Sequence, residues 1–211
     1  MNRGTQERTR NGAIAVKRAF DIAGSLIGCF FTALVLPVFA AAIRLDSEGP
    51  VFFVQERIGR DGKPFRMFKF RSMVKDAEER KSALLGRNMM RGPVFKMEND
   101  PRVTRVGRFL RRTSLDELPQ FWNVLRGEMS LVGARPPLPE EYAAYSERDR
   151  RRLAMRPGMT GLWQVSGRSD ITDFAEIVRL DLTYIDTWTP GMDARILAKT
   201  VRQLFTGKGA R

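Results

Sequence analysis

Apolar and polar residues divide this 211-residue chain into two regimes. Between Asp21 and Arg44 no side chain is charged, and Ser25 and Thr32 are the only hydroxyls. As a helix rising about 1.5 Å per residue, this run would be about 33 Å long, close to the roughly 30 Å hydrocarbon core of a bilayer. It exceeds the apolar stretch of a signal peptide, although Ala40-Ala41-Ala42 imitates a cleavage site. A soluble domain of this size has little room to enclose it. The pattern therefore predicts a membrane helix over residues 18–46, a basic tail over 1–17 before it, and a second unit over 47–211.

That second unit reads as soluble α/β. Val51–Gln55 and Phe65–Phe70 have strand character and are joined by the turn-like Gly59-Arg60-Asp61-Gly62. Lys75–Arg91 permits a helix, and Gly92-Pro93 and Asn99-Asp100-Pro101 mark a loop. Val103–Thr113 is basic through Arg105, Arg108, Arg111 and Arg112. In residues 114–127, Ser114 and Glu117 have the spacing of a capping box. Leu115, Leu118, Trp122 and Leu125 would share one face, and Gly127 is placed to end the helix. Strands are expected at Met129–Val132 and Gly161–Val165, and helices at Pro139–Met155, Asp173–Thr187 and Gly191–Phe205.

Proline bears on how the first helix meets the membrane. Pro37 removes one helical hydrogen bond and crowds the preceding turn, which predicts a kink. Arg3, Arg8, Arg10, Lys17 and Arg18 precede the apolar run, and Arg44, Arg57, Arg60 and Lys63 follow it. The positive-inside rule asks for both flanks on the cytoplasmic side. A re-entrant helix bent at Pro37 meets both conditions if the freed backbone groups near Leu34 and Leu36 find partners such as Thr32. A single span is the alternative.

Composition then narrows the chemistry. With no histidine, imidazole bases and histidine-ligated zinc are excluded, and the single Cys29 excludes an internal disulfide. The formal net charge of +13, from 37 basic and 24 acidic residues, directs the chain toward polyanions: nucleic acid, anionic lipid or phosphorylated small molecules. Asp116-Glu117, in the expected first turn of a helix, would sit among unpaired backbone N–H groups near Arg111 and Arg112, which favours ionised carboxylates. Such an aspartate can attack phosphorus or help hold magnesium, and simple capping explains the same spacing. Arg135, in the stiff Gly133-Ala-Arg-Pro-Pro137 loop, suits a bidentate phosphate clamp or a solvated surface. The segment Met155–Arg168 combines glycines with Trp163 and reads equally as a nucleotide contact or a turn over a core tryptophan.

Taken in order, these segments resemble one family, the bacterial sugar transferases: small monotopic polyprenyl-phosphate phosphoglycosyl transferases. The matching pieces are Lys17-Arg18-x-x-Asp21, Gly49-Pro50, Glu56-Arg57-x-Gly59 and Lys69-Phe-Arg-Ser-Met73. They continue with Ser114-Leu-Asp-Glu-Leu-Pro-Gln120, Asn123-Val-Leu-Arg-Gly127, Met129-Ser-Leu-Val-Gly133, Arg135-Pro136 and Arg156-Pro-Gly-Met-Thr-Gly-Leu-Trp-Gln-Val165. The resemblance implies a mostly helical α/β fold with short strands, in which an N-terminal re-entrant membrane helix joins a cytoplasmic, membrane-associated catalytic domain. It implies transfer of a sugar-1-phosphate from a nucleoside diphosphate sugar, with a UDP-sugar expected, to undecaprenyl phosphate at the cytoplasmic face of the bacterial inner membrane. Nucleoside monophosphate leaves, and the step opens polysaccharide or glycoconjugate synthesis.

Asp116 and Glu117 then map onto the catalytic dyad, with Asp116 the nucleophile and both carboxylates at magnesium. Arg135 maps onto the phosphate-binding arginine, although Ala134 stands where the family has a proline. Leu36 likewise replaces the serine usual before the bend at Pro37. Arg57, Lys69, Arg111, Arg112, Gln164 and Arg168 join Arg135 as expected substrate contacts. Anionic lipids are expected partners, with basic helices such as that around Arg150 on the headgroups. Nucleic acid is not an expected partner, and a homodimer is compatible with the arginine-rich and aromatic surfaces. The rival class is a non-catalytic basic membrane-surface module that recruits nucleic acid or protein.

Overall fold

A computed structural model describes residues 3–167 and 171–206. The first helix, α1, runs from Arg3 to Asp46 with Pro37 inside it, so the expected tail is helical from Arg3 and continuous with the apolar run. One face of α1 packs on the rest of the chain, and its residues recur every three or four positions: Lys17, Asp21, Gly24, Gly28, Thr32, Leu36, Ala40 and Ile43. This face is small or polar near the start. A side-chain carbon on Gly24 would come 2.7 Å from Leu131 Cδ1, and one on Gly28 would enter the Phe121 ring. The opposite face exposes Phe20, Ile27, Phe30, Leu34 and Val38.

Charged groups on the packed face of α1 terminate other elements. Arg18 donates to Val124 O at 2.7 Å and Leu125 O at 2.8 Å, satisfying the last carbonyls of α3 (Gln120–Arg126). Asp21 Oδ1 accepts from Leu131 N and Ser130 Oγ, both at 2.9 Å. Lys17 donates to Val132 O at 2.9 Å and pairs with Asp193 at 2.7 Å. At the other end, Asp46 accepts from Val106 N at 2.8 Å, in the first turn of α2 (Arg105–Arg112). Arg71 donates to Ser47 O at 2.7 Å and also to Glu48 O, closing the C-terminus of α1. Lys17 and Arg18, read above as loose flanking charge, are thus parts of the fold. Thr32 donates to Gly28 O and Leu118 O, at 2.7 and 3.2 Å.

The expected strands at 51–55 and 65–70 form an antiparallel hairpin, β1 (Phe52–Ile58) and β2 (Pro64–Phe70). Its register pairs Phe53 with Lys69, Gln55 with Met67 and Arg57 with Phe65, so these six share a face. On the other face Phe52 stacks on Phe70, and Phe39 of α1 meets Phe70 edge-on at 5.6 Å. A short parallel pair follows, β3 (Ser130–Val132) with β4 (Gly158–Thr160). The backbones approach so closely there that a side chain on Gly133 would meet Gly158 N at 2.8 Å.

Several helical expectations change. Residues 79–87 form a 3-10 rather than an α-helix. Residues 139–155 break into α4 (Pro139–Ala143), α5 (Glu147–Arg150) and a 3-10 turn, because Ser146 and Asp149 make a capping box that starts a new helix. The strand expected at Gly161–Val165 is instead a helical turn, α6 (Leu162–Val165). It buries Trp163 against Met90 and Ile177, and Val165 against Tyr184 and Ile196. α7 (Phe174–Thr187) and α8 (Pro190–Thr206) complete the chain as expected. Arg152 does not face a lipid surface. It is 3% exposed and donates to Asp181 at 2.9 Å and to Tyr145 Oη at 2.7 Å. Burial raises the Asp181 carboxyl despite the Arg152 charge beside it.

Candidate active site

The expected cap at residue 114 is where the structure departs most from the sequence pattern. α2 ends at Arg112 with Thr113 as its C-cap, and Ser114 adopts a left-handed conformation (φ 56°). Its hydroxyl caps nothing, and Glu117 N donates to the Ser114 carbonyl instead, at 3.2 Å. Leu115–Glu117 is then a single 3-10 turn, and α3 begins only at Gln120. The dyad therefore sits on an elbow between two helices rather than in the first turn of one. A non-glycine residue at positive φ stores strain, which surrounding structure must hold. The face expected for residues 115–125 shifts accordingly: Gln120, Asn123 and Val124 are buried, and Trp122 is half exposed.

Lys69 holds the elbow. Its Nζ lies 2.8 Å from Glu117 Oε1, with both side chains about three-quarters buried. Lys69 is positioned by a residue to which the sequence alone gave no role. Asn123 is fully buried; its Oδ1 accepts from Phe68 N at 3.1 Å, and its Nδ2 donates to Arg66 O and to Glu128 Oε2, both at 2.7 Å. The amide thus completes the edge of β2 that β1 leaves unpaired, as a neighbouring strand would. The signal lay in the polar residue amid the apolar α3.

Asp116, 7% exposed, lines a cavity of about 1260 Å³ together with Lys69, Arg111, Arg112, Glu117, Arg135 and Gln164. Segment 88–101, α2, α3 and the 134–138 loop supply further walls. Arg57 also borders the cavity, but its donors are engaged: Nη1 with Pro136 O at 3.0 Å, Nε and Nη2 with Gln55 Oε1. Burial, and then the charge of Arg135, push its guanidinium down to about 10. The structure thus gives Arg57 the task of fixing the Arg135 loop. Ile58 N helps, donating to Pro137 O at 3.0 Å. Gln164 is tied through Nε2 to Met159 O at 3.1 Å. Arg168 lies outside the described residues.

Basic residues outnumber acidic ones along this cavity: Lys69, Arg105, Arg108, Arg111, Arg112 and Arg135 line it with the dyad, and Glu78, Glu98, Asp100 and Glu141 line it as well. Such a lining attracts a polyanionic ligand of the size of a nucleoside diphosphate sugar. Among the described residues no three histidine, cysteine or acidic side chains cluster as a self-sufficient metal site. Two adjacent carboxylates nevertheless suit magnesium, a hard cation that keeps waters and takes one or two carboxylates together with substrate phosphates.

Comparison with known proteins gives a concordant result. The family model described as bacterial sugar transferase matches residues 12–207. The chain is 50% identical over 198 residues to the galactosyl transferase CpsE of Streptococcus agalactiae, covering 94% of this chain and 44% of that protein. It is 42% identical over 199 residues to the undecaprenyl-phosphate galactose phosphotransferase of Salmonella typhimurium, covering 92% and 41%. It is 36% identical over 198 residues to the exopolysaccharide production protein ExoY of Rhizobium meliloti, covering 92% and 87%. The chain thus spans less than half the length of the first two relatives and most of the third. It belongs to the bacterial sugar transferase family.

Proposed function

We propose that this protein transfers a sugar-1-phosphate from a nucleoside diphosphate sugar to undecaprenyl phosphate, releasing nucleoside monophosphate. The observation that carries this reading is the strained elbow presenting Asp116 to a cavity walled by cations. The relatives' names agree with it, among them a UDP-galactose-lipid carrier transferase of Erwinia amylovora.

In the proposed first step, a carboxylate oxygen of Asp116 attacks the phosphorus that carries the sugar. A phosphorus–oxygen bond forms, the diphosphate bridge breaks, and nucleoside monophosphate leaves with the bridging oxygen and its electron pair. In the second step an oxygen of undecaprenyl phosphate attacks the same phosphorus. The bond to Asp116 breaks, the carboxylate is restored, and the product is an undecaprenyl diphosphate sugar. Arg135, on the loop fixed by Arg57, and the arginines of α2 offset the charge of the leaving phosphate. Asp116 and Glu117 would hold magnesium, which supplies Lewis-acid neutralisation of the diphosphate when bound. Lys69 orients Glu117 beside it.

The proposed setting is the cytoplasmic face of the inner membrane, with α1 re-entrant. The apolar run of α1 is tied to the same domain on both flanks, through Lys17 to Asp193 and through Asp46 to Val106, while its outer face is apolar. A straight span would carry one end about 30 Å across the bilayer from that domain. Contacts at both ends favour entry and exit on one side. The lipid acceptor's phosphate then lies at the headgroup level, where the Asp116 cavity can meet it.

The test is Asp116→Asn in membranes with undecaprenyl phosphate and a nucleotide-sugar panel. Release of nucleoside monophosphate is expected to fall at least about a thousandfold, with membrane association unchanged. With labelled donor and no acceptor, the wild type is expected to retain one sugar phosphate on Asp116. Normal turnover by the variant would overturn the nucleophile assignment.

A further inference from the structure

Two polar side-chain atoms of consecutive residues on the cavity wall are buried and have no hydrogen-bond partner among the described residues: Trp163 Nε1 and Gln164 Oε1. Trp163 is 6% exposed, so its N–H is a shielded donor. The bond from Gln164 Nε2 to Met159 O fixes the carboxamide and leaves Oε1 as an acceptor. Gly161 keeps that oxygen clear, since a side chain there would approach it to 3.1 Å. Buried polar groups are nearly always satisfied, and an orphan donor and an orphan acceptor from consecutive residues, both on a ligand cavity, point to a ligand that supplies the missing bonds.

Position says which part of the donor that is. Met159, which holds Gln164, packs with Met67. Met67 stands two residues before Lys69 on the same face of β2, and Lys69 grips Glu117. Gln164 is therefore linked to the dyad through Met159 and the β2 face that carries Met67 and Lys69. In the proposed reaction the phosphorus at Asp116 bears the sugar directly, whereas the nucleoside lies one phosphate further away. Chemistry agrees with position. An unpaired carbonyl oxygen repels a phosphate, and an indole N–H repels a cation. A hydroxyl accepts from one and donates to the other. The surrounding Met90, Val94, Ile171 and Ile177 suit the apolar faces of a sugar ring. Both orphan atoms are shielded from solvent, so the ring must displace a side chain, and unbranched Met90 is the adaptable neighbour.

We propose that Trp163 Nε1–H and Gln164 Oε1 are specificity-determining contacts for the donor's sugar, each engaging a hydroxyl of the ring. This inference rests on the transferase reading above. The test uses the full chain in nanodiscs with undecaprenyl phosphate, UDP-galactose, UDP-glucose and the monodeoxy analogues of the better donor. In the wild type, kcat/KM is expected to fall about tenfold for at least one deoxy donor, and Trp163→Phe to cost about tenfold with the parent sugar. Combining that variant with that donor should add less than about twofold, because both remove the same bond. Gln164→Leu repeats the experiment if Trp163→Phe does not fold. Losses that multiply for every deoxy donor overturn the inference, as does a variant that alters only the choice between uridine and cytidine donors. Release that is insensitive to both variants overturns it while leaving the transferase reading intact. A wild type that releases nucleoside monophosphate from no nucleotide sugar overturns both.

Discussion

Asn123→Leu tests whether the dyad is positioned from α3 through the edge of β2. Leucine keeps the branched outline of asparagine, but its methyl groups are bulkier, so crowding at this fully buried site adds to the loss. The three bonds to Phe68 N, Arg66 O and Glu128 Oε2 disappear together. Each contributes about 1 kcal/mol net, and two backbone groups of β2 lose their partner, so the expected loss is about 3–4 kcal/mol. For a chain of this length that lowers Tm by roughly 6–15 °C, read by thermal unfolding in detergent. Activity should fall further than stability explains. At 10 °C, where the variant remains folded, kcat is expected to drop about tenfold while KM for the donor holds, because Lys69 loses the frame that presents it to Glu117. Asn123→Asp is the control: it keeps the acceptor for Phe68 N but faces the Glu128 carboxylate, so it should be no more stable than the leucine variant. A Tm within about 2 °C of wild type for the leucine variant would refute this account of the elbow.

Lys69→Met removes the cation at Glu117 and is expected to lower kcat about a hundredfold, with Lys69→Arg recovering only part. Wild-type turnover in the methionine variant would show that the ion pair is incidental. Asp100 is held below the usual carboxylate range: burial raises it, but the Arg102 hydrogen bonds and charge outweigh this. The sign follows directly. Its stabilisation is complete above the unfolded value of about 3.9 and is lost as pH falls through the lower folded value. Tm should therefore decline on acidification below about pH 4, and Asp100→Asn should flatten that decline. For topology, Thr5→Cys and Thr206→Cys in a Cys29→Ser background should both resist an impermeant maleimide applied from the periplasmic side. Labelling of one site alone would establish a span.

Much of the candidate site was legible as a set of residue types at fixed positions in the motifs. Asp116, Glu117, Lys69, Arg135 and Gln164 all border one cavity, as the motifs implied. What the pattern hid was how the chain presents them. Ser-x-x-Glu at 114–117 has the spacing of a capping box, but capping requires an extended backbone at the serine, and the connection from α2 forces Ser114 into the left-handed region. Local spacing could not reveal that, because the constraint comes from Leu110 of α2 and Leu115 and Leu118 of the elbow packing together on Ile43. Gly161–Val165 misled for a similar reason: its alternating bulk suits a strand, yet Trp163 and Val165 are buried in different clusters, which one helical turn achieves.

On α1 the usual sign of amphipathicity is reversed, and this reversal ties the fold to the proposed activity. In a soluble helix, apolar residues mark the packed face and polar residues face water. Here Lys17, Asp21, Gly24, Ser25 and Gly28 face protein, while Phe20, Ile27, Phe30 and Leu34 face outward. Small residues permit close approach, and each inward charge has a specified receiver, whether a carbonyl, an N–H or an opposite charge. The polar spacing on α1 therefore encodes docking to the domain, and the apolar remainder encodes the solvent it requires. Helix and domain form one packed unit, because Asp46 of α1 caps α2, α2 leads into the Ser114 elbow, and the elbow carries Asp116. In the proposed setting, the depth at which α1 settles in lipid consequently sets the height of Asp116 above it. An enzyme that must bring a soluble donor and a lipid phosphate to the same carboxylate needs that height fixed.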